Sequence, residues 1–158
     1  MRLSKRGEYG LRAMIHLASA DMENGLVQIK EIASAEKIPI KFLEQILLTL
    51  KNAGLLQSRS GVGGGYYLAR DASEINLGQI IRILDGPLAP VRCVSQMAYE
   101  PCDCPDEETC GLRMVMLDVR NAIANILENT TLEDVKQRVE AAKAKKEVVS
   151  LLNSSMDP

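Results

Sequence analysis

The chain has 158 residues, a formal net charge of −2 and 46% hydrophobic residues, which suffices for one domain, or one domain with an arm, around a real core. Aromatic residues make up only 3%, with no Trp and one Phe, so the core must be aliphatic, which favours helices over a β-sandwich. No apolar run approaches the roughly 18 residues of a membrane helix, and the N-terminus lacks the apolar core of a signal peptide. We therefore expect a cytoplasmic protein with no membrane partner, in a compartment where thiols stay reduced, which disfavours disulfides and favours a metal site.

Charge is distributed unevenly along the chain. Residues 1–70 hold 10 Lys and Arg against 6 Asp and Glu, whereas residues 71–158 hold 9 against 15. A basic N-terminal part joined to an acidic C-terminal part indicates that only the first meets a polyanion. Ordinary solvated charge explains the same numbers, so this observation alone does not decide.

Three helices are predicted in the N-terminal third. Apolar side chains recurring at offsets of 0, 3, 4 and 7 place them at 4–20, 28–36 and 39–53. Pro39 suits the first turn of the third helix, and Gly54 lies where a left-handed C-terminal cap is expected. Two short helices joined by a tight turn, the second of them amphipathic, indicate either a helix-turn-helix or a plain helical hairpin.

A β-hairpin is predicted directly after the third helix. Residues 55–59 are expected to form one strand, the glycine-rich stretch 60–65 a turn, and residues 66–69 the returning strand. A hairpin in this position is the layout of a winged helix-turn-helix. A phosphate-binding loop is the weaker interpretation, because Gly65 is followed by Tyr66 and the ending Gly-Lys-Ser/Thr is missing.

The C-terminal half begins with a capped helix and ends with two more. Asn76 is expected to cap a helix from Leu77 to Leu84. The helix at 111–128 has apolar residues at alternating spacings of three and four, a pattern typical of a coiled-coil seam. The members of this stripe are Leu112, Val115, Met116, Val119, Ala122, Ile123 and Ile126. We favour a two-fold dimer helix over a helix that packs only on its own domain. A capping-box pattern at Thr131 begins the last helix.

The predicted fold is therefore mainly α with a small β-hairpin wing. A winged helix-turn-helix domain occupies residues 1–86, and a cysteine-rich loop follows at 87–110. The dimerisation helix and the C-terminal helix take up 111–152, and a flexible tail covers 153–158.

All four cysteines fall within 18 residues, as Cys93, Cys102, Cys104 and Cys110. Thiolates crowded in this way are typical of ligands for a soft metal or an iron–sulfur cluster. A structural zinc site is the alternative, since four thiolates suit tetrahedral Zn²⁺. A thiol redox protein or an electron carrier is disfavoured, because the chain has no Cys-x-x-Cys and no βαβ context. With one His and no nucleophile motif, the chain is not expected to be an enzyme.

Several short motifs together resemble a known family. They are Met1-Arg2-Leu3-Ser4, Tyr9-Gly10-Leu11-Arg12-Ala13-Met14, Phe42-Leu43-Glu44-Gln45, Gly54-Leu55, Gly63-Gly64-Gly65-Tyr66 and Asp85-Gly86. In order and spacing they resemble the bacterial winged-helix regulators that include the iron–sulfur cluster regulator IscR, the nitric-oxide sensor NsrR, the iron regulator RirA and the cysteine-metabolism repressor CymR. The resemblance covers residues 1–150 and is greatest to the cluster-binding members. It implies a homodimeric transcriptional regulator whose binding to double-stranded DNA depends on an iron–sulfur cluster, [2Fe–2S] rather than [4Fe–4S]. A cluster-free or zinc-containing repressor of the same family is the alternative.

The resemblance also implies a ligand set. In cluster-binding members three cysteines precede the dimer helix, and five residues separate the last two. By this match the ligands are Cys93, Cys104 and Cys110. The ten residues between Cys93 and Cys104 make a longer loop than usual, and the additional Cys102 could replace Cys104.

The fourth ligand stays open between two candidates. Arg113 stands where IscR-type members have a histidine, and a guanidinium cannot bind iron. Other members take a carboxylate from the first helix of the partner subunit, and Glu8 stands at that place. Glu8 could instead form a surface pair with Arg12. Cys102 would make the site entirely thiolate, and His16 is a poorer third choice.

Eight residues are predicted to contact a palindromic operator. Arg2, Lys5 and Lys41 should meet phosphates, and Arg59 on the wing should meet a phosphate or enter a minor groove. On the recognition helix, Glu44 could accept from cytosine N4 and Gln45 could pair with adenine. The alternative for Glu44 is a solvated carboxylate that repels phosphates. The complete set is Arg2, Lys5, Lys41, Glu44, Gln45, Arg59, Ser60 and Gly64.

Overall fold

The computed structural model describes residues 2–20 and 25–155. Its helices are α1 (Lys5–Ser19), α2 (Ile29–Glu36), α3 (Ile40–Asn52), α4 (Leu77–Leu84), α5 (Gly111–Glu128) and α6 (Leu132–Ser154). Its strands are β1 (Leu56–Arg59) and β2 (Gly65–Leu68), and two short 3-10 turns lie at Ala72–Glu74 and Arg92–Val94. The predicted fold class, mainly helical with a small antiparallel hairpin, is confirmed.

The elements lie close to their predicted positions. Helices α4 and α5 begin and end at the predicted residues, and α1, α2, α3 and both strands do so within one residue. Pro39 precedes α3 as its N-cap instead of lying in the first turn. Helix α6 continues to Ser154, two residues beyond the expected end of the helical region. The last three residues of the expected tail, 156–158, lie outside the described residues. The two 3-10 turns were not predicted.

The core is aliphatic, as the composition requires. Its largest fully buried side chains are Met14, Ile32, Leu43, Ile46, Leu47, Leu50, Leu55, Leu56, Ile75, Ile80 and Leu132. Burying one such side chain stabilises the fold by about 1.5–3 kcal/mol. At the rim of this core the rings of Tyr9 and Phe42 meet edge to face, with centroids 5.7 Å apart. Helices α1, α3 and α4 each contribute fully buried side chains to this core, and α6 adds Leu132.

Backbone hydrogen bonds fasten the starts of α4 and α6 side by side. The Leu77 N–H donates to the Thr130 carbonyl at 3.0 Å, and the Leu132 N–H donates to the Ile75 carbonyl at 2.9 Å. Both helices begin with a capping box, formed by Asn76 with Gln79 in α4 and by Thr131 with Asp134 in α6. Because α5 ends just before α6 begins, this junction returns α5 alongside α4, which it contacts.

The hairpin forms a wing beside the N-terminal helices. Strands β1 and β2 are antiparallel, with Leu56 opposite Leu68 and Arg59 opposite Gly65. On its other side Tyr66 exchanges two backbone hydrogen bonds with Val27, of 2.8 and 2.9 Å. This bridge holds the wing against the segment that precedes α2. In the part of the chain that the structure describes, no helix is long and apolar enough to cross a lipid bilayer.

Candidate nucleic-acid interface and cysteine segment

Helix α3 buries one face in the core and presents the other to solvent. Leu43, Ile46 and Leu47 on the inner face are fully buried. Lys41, Glu44 and Gln45, three of the predicted DNA-contacting residues, are exposed on the outer face. The helical period places Glu44 and Gln45 one turn beyond Lys41, so these three side chains share one surface.

Side-chain hydrogen bonds connect α3 to α1 and to the wing. The Arg6 guanidinium donates to Thr49 Oγ1 at 2.8 Å, which fixes the first turn of α1 beside α3. At the same C-terminal end of α3, Lys51 Nζ donates to Ser58 Oγ at 2.7 Å. These contacts add Arg6 and Lys51 to the cations of the surface. Sequence reasoning missed both, because neither pairing follows a local sequence pattern.

The wing carries three further predicted contacts. Arg59 and Ser60 are exposed, and Gly64 is half-buried in the turn. A Cβ atom at Gly64 would overlap the Arg59 carbonyl oxygen and lie 2.9 Å from that of Gly61. Only glycine fits this close backbone approach. Arg2 and Lys5, the remaining predicted contacts, are exposed at the start of α1.

The cysteine-rich segment is anchored at both ends on helical structure. Cys93 lies in the 3-10 turn Arg92–Val94, which packs against α5, and only 8% of the residue is exposed. Cys110 is the N-cap residue of α5. Both are free thiols. The segment therefore leaves one side of α5 and returns to the N-terminus of the same helix.

The sequence disfavours disulfides, yet two of the four cysteines form one. Cys102 and Cys104 are joined by a disulfide, with Cα atoms 5.3 Å apart. The single residue between them places the two Cα atoms within the 4.4–6.8 Å over which disulfides usually form. Their position in the chain thus allows a bond that the reducing compartment was expected to disfavour.

The predicted cluster ligands fit an iron–sulfur cluster in chemistry but not in arrangement. Thiolates are the ligands that such clusters prefer. Among residues 2–20 and 25–155, however, no three His, Cys, Asp or Glu side chains stand close enough together to hold a metal ion. Cys93, Cys104 and Cys110 are therefore not gathered within the single chain, and Cys104 is already bonded to Cys102.

Arg113, the residue that replaces a histidine ligand, belongs to a polar group beside the cysteines. Its Nε lies 3.0 Å from Glu107 Oε1. The other oxygen of Glu107 accepts a hydrogen bond of 2.7 Å from the Tyr99 hydroxyl. This bond to a carboxylate raises the pKa of Tyr99 above its ordinary value. The side chain of Arg113 is thus used in an ion pair with Glu107, which connects the cysteine-rich loop to α5.

A second carboxylate orders the turn just before Cys110. Asp106 accepts hydrogen bonds from the Thr109 hydroxyl at 2.6 Å and from the Glu108 N–H at 3.1 Å. These bonds stabilise the ionised carboxylate and lower the pKa of Asp106. The turn that leads into α5 therefore has structure of its own.

Glu8 and His16 are both paired within the single chain. Glu8 lies 3.0 Å from Lys5 Nζ and 3.7 Å from an Arg12 nitrogen, so the surface pair with Arg12 forms. His16 Nδ1 lies 3.1 Å from a carboxylate oxygen of Glu36. An exposed pair four residues apart on a helix, such as Glu8 with Arg12, contributes only about 0.3–0.5 kcal/mol. The role of Glu8 as a ligand for the partner subunit stays a prediction.

The apolar stripe of α5 is partly buried and partly exposed to solvent. Met116, Val119 and Ile123 are half-buried against their own domain. Leu112, Val115 and Ile126 are each more than half exposed. Large apolar side chains in a row along one exposed helix edge are typical of interaction surfaces.

Comparison with known proteins identifies the family. The family described as "Rrf2: Iron-dependent Transcriptional regulator" matches residues 3–138. The chain belongs to the Rrf2 family. The resemblance inferred from the sequence motifs is confirmed, and this Rrf2 protein is a transcriptional regulator.

Relatives and solved structures agree with this assignment. The chain is 36% identical to a putative rrf2-like HTH-type regulator of Rhodobacter capsulatus, over 84% of this chain and 91% of the relative. It is also 36% identical to the HTH-type regulator CymR of Bacillus subtilis, over 85% and 89%. The solved structure of that CymR, described as the global cysteine regulator, superposes with a TM-score of 0.74 at 35% identity, over 87% and 98%. The structure of T. potens IscR gives 0.71 at 31% identity, over 90% of each chain.

These relatives bear on two further expectations. They are named as transcriptional regulators, which confirms that the Rrf2 protein is not an enzyme. They include both IscR and CymR, so the similarity does not separate a cluster-containing regulator from a cluster-free one.

Proposed function

We propose that this Rrf2-family regulator is a cytoplasmic homodimer that binds a palindromic DNA operator through the outer face of α3 and the wing. We further propose that the segment from Cys93 to Cys110 controls this binding through a bound iron–sulfur cluster. The observation that carries DNA binding is the single exposed surface on which Lys41, Glu44 and Gln45 lie beside the wing. Helix and wing are connected there by the Lys51–Ser58 hydrogen bond.

The proposed surface has residues that would position the protein on the DNA and residues that would read the base sequence. Cations at its edges, including Arg2, Lys5 and Arg59, would contact phosphates and fix the register on the duplex. Glu44 and Gln45, in the first two turns of α3, would reach base edges in the major groove. Ser60 and Gly64 would bring the wing close to the sugar-phosphate backbone, since neither has a bulky side chain.

We infer dimerisation through α5 from the spacing of its apolar stripe, whose residues Leu112, Val115 and Ile126 are exposed while Val119 is half-buried. Leu112, Val115, Val119, Ala122 and Ile126 stand three, four, three and four residues apart. This spacing is that of a two-helix seam. A second copy of the same helix would cover the edge by two-fold symmetry, and would bring two α3 helices onto one duplex, as a palindromic operator requires.

The dimer is tested by placing a charge on the seam. The substitution Val115→Glu buries a carboxylate in the proposed interface, so we expect a monomer in sedimentation velocity and at least a hundredfold loss of operator affinity. Asn121→Glu, on the opposite side of α5, serves as the control and should leave a DNA-binding dimer. A Val115→Glu protein that sediments as the wild type does would contradict the seam.

The cluster proposal rests on donor chemistry. Cys93, Cys104 and Cys110 would provide three thiolates, and Cys102 or Glu8 of the partner subunit would provide the fourth ligand. The disulfide between Cys102 and Cys104 would first have to accept two electrons and two protons from the thiol reductants of the cytoplasm, which gives two free thiols. A [2Fe–2S] cluster, when bound, would cross-link the loop and supply a redox-sensitive centre. Cys93 and Cys110 would hold the loop to α5, and Glu107 would keep the Arg113 charge paired. A zinc-containing or cluster-free repressor is the competing state, supported by the similarity to CymR.

Oxygen-free purification separates these states. A cluster protein is brown with visible absorption and contains iron and sulfide, whereas a zinc protein is colourless. Native mass spectrometry of the wild type, Cys102→Ala and Glu8→Ala should show the cluster mass lost in the variant that removes the fourth ligand. Footprinting with and without the cluster should show different sequence preferences. A preparation with neither iron nor sulfide would exclude the cluster and leave DNA binding untouched.

A further inference from the structure

We propose that Leu48 recognises a thymine methyl group in the major groove, beside the base pair contacted by Glu44 and Gln45. The inference rests on the DNA-binding function proposed above. Leu48 is 52% exposed and follows Lys41, Glu44 and Gln45 by seven, four and three residues. These offsets place it on the same outer face of α3.

Leu48 is not one of the side chains that form the hydrophobic core. Leu47 and Leu50, its neighbours on the inner face of α3, are fully buried. An exposed leucine by itself is ordinary. What gives this one meaning is its position on α3, because it is a large exposed apolar side chain between the exposed polar residues Glu44 and Gln45 on one side and Lys51 on the other.

The charges around Leu48 favour a nucleic acid as the occupant of this face. Lys41 lies on one side of it along the helix, and Lys51 lies on the other, held to the wing. Arg6, held to Thr49, adds a third cation from α1. A partner that meets cations at the edges and an apolar group in the centre suits a duplex, where phosphates flank the major groove. Among base edges in that groove, only the C5-methyl group of thymine is apolar.

Helix geometry fixes where the thymine should lie. A rise of about 1.5 Å per residue places Leu48 roughly 4.5–6 Å along the axis from Gln45 and Glu44. Base pairs in B-DNA are about 3.4 Å apart. The thymine is therefore expected one or two base pairs from the pair that Glu44 or Gln45 contacts, once in each half-site.

Removal of single methyl groups from the DNA provides the test. The probe is a duplex selected by the wild-type protein from a random-sequence library, in which each thymine is replaced in turn by deoxyuridine. At one position per half-site, loss of the methyl should raise Kd roughly three- to fivefold, the value of one buried methyl group. In Leu48→Ala the same replacement should have no effect. Gln45→Ala is the matched control, and should change the preferred neighbouring base while keeping the methyl sensitivity.

The possible results distinguish a failure of the role proposed for Leu48 from a failure of the proposed DNA binding. If the wild-type protein selects no duplex, the proposed DNA binding fails. If it selects a duplex but every deoxyuridine replacement is silent, DNA binding stands and the role of Leu48 is overturned. The inference is also overturned if Leu48→Ala keeps the wild-type sensitivity at every thymine. The scan of the wild-type protein needs no variant, so a misfolded Leu48→Ala would not leave the question undecided.

Discussion

Gly10 allows α1 and α4 to pack at close range. A Cβ atom on Gly10 would overlap Leu84 Cδ1 and lie 3.3 Å from Ile46 Cγ2, both on buried side chains. Glycine normally weakens a helix interior by about 1 kcal/mol relative to alanine. Here that cost is offset because the absence of a side chain on Gly10 lets α1 and α4 pack closely and bury their apolar side chains.

Gly10→Ala should therefore destabilise the protein although it improves helix propensity. We expect a net loss of about 1–3 kcal/mol, as for other overpacked cores, measured by urea denaturation. Gly111→Ala is the control, because Gly111 opens α5 with nothing within 4 Å of its Cβ position, and should stay within about 0.5 kcal/mol of the wild type. Equal stability of the two variants would show that the α1–α4 contact is looser than described.

Residue by residue, the sequence predicted which side chains are exposed on α3 and the wing better than it predicted their contacts. Lys41, Glu44 and Gln45 share a face because the helical period requires it. The same period runs on to Leu48, so the sequence contained that signal too. The disulfide, the Arg6–Thr49 bond and the Lys51–Ser58 bond could not be predicted, because none of them follows a local pattern.

At the level of elements, helices were predictable where their ends carry local signals. Asn76 and Thr131 cap their helices by exchanging side chain–backbone hydrogen bonds with the residue three positions later. Gly54 has the positive φ of 81° that is expected after α3. The bridge between Val27 and Tyr66 was missed, since it depends on a partner about forty residues away. The missed 3-10 turn at Arg92–Val94 is the one that positions Cys93.

The capping box of α6 should make stability depend on pH. Hydrogen bonds from the Thr131 N–H and hydroxyl to Asp134 lower the pKa of this carboxyl in the folded state. A lowered folded-state pKa contributes stability that is present above the unfolded pKa and is lost as the pH falls through the folded value. Asp134→Asn should therefore lower the Tm at pH 7 and flatten the loss of stability between about pH 5 and pH 2.

Glu133→Gln provides the comparison for this cap. Glu133 lies in the same first turn of α6 but accepts from Gln137 further along the helix and not from Thr131. In thermal melts across the pH range, the Tm of Glu133→Gln should therefore fall at acid pH as that of the wild type does. If Asp134→Asn and Glu133→Gln melt alike at every pH, the cap does not contribute to the pH dependence.

For the whole molecule, the arrangement of charge matters more than its sum. A net charge of −2 would repel DNA, yet residues 1–70 carry four more cations than anions and residues 71–158 carry six more anions than cations. The excess of anions lies in residues 71–110, which include the cysteine segment, whereas residues 111–158 hold 7 Lys and Arg against 7 Asp and Glu. This distribution would orient the molecule on the proposed operator, with residues 1–70 toward the phosphates.

Operator affinity should in consequence fall steeply with salt. If a dimer neutralises about six to eight phosphates, log K should decrease with log salt at a slope of roughly −5 to −7. Lys41→Ala removes one phosphate contact per subunit, so the slope should become shallower by about 2 per dimer. Lys143→Ala changes an exposed lysine of α6, outside the proposed DNA surface, and should leave the slope unchanged. Fluorescence anisotropy from 50 to 300 mM salt measures all three, and a flat response in the wild type would mean that phosphates are not what this basic surface binds.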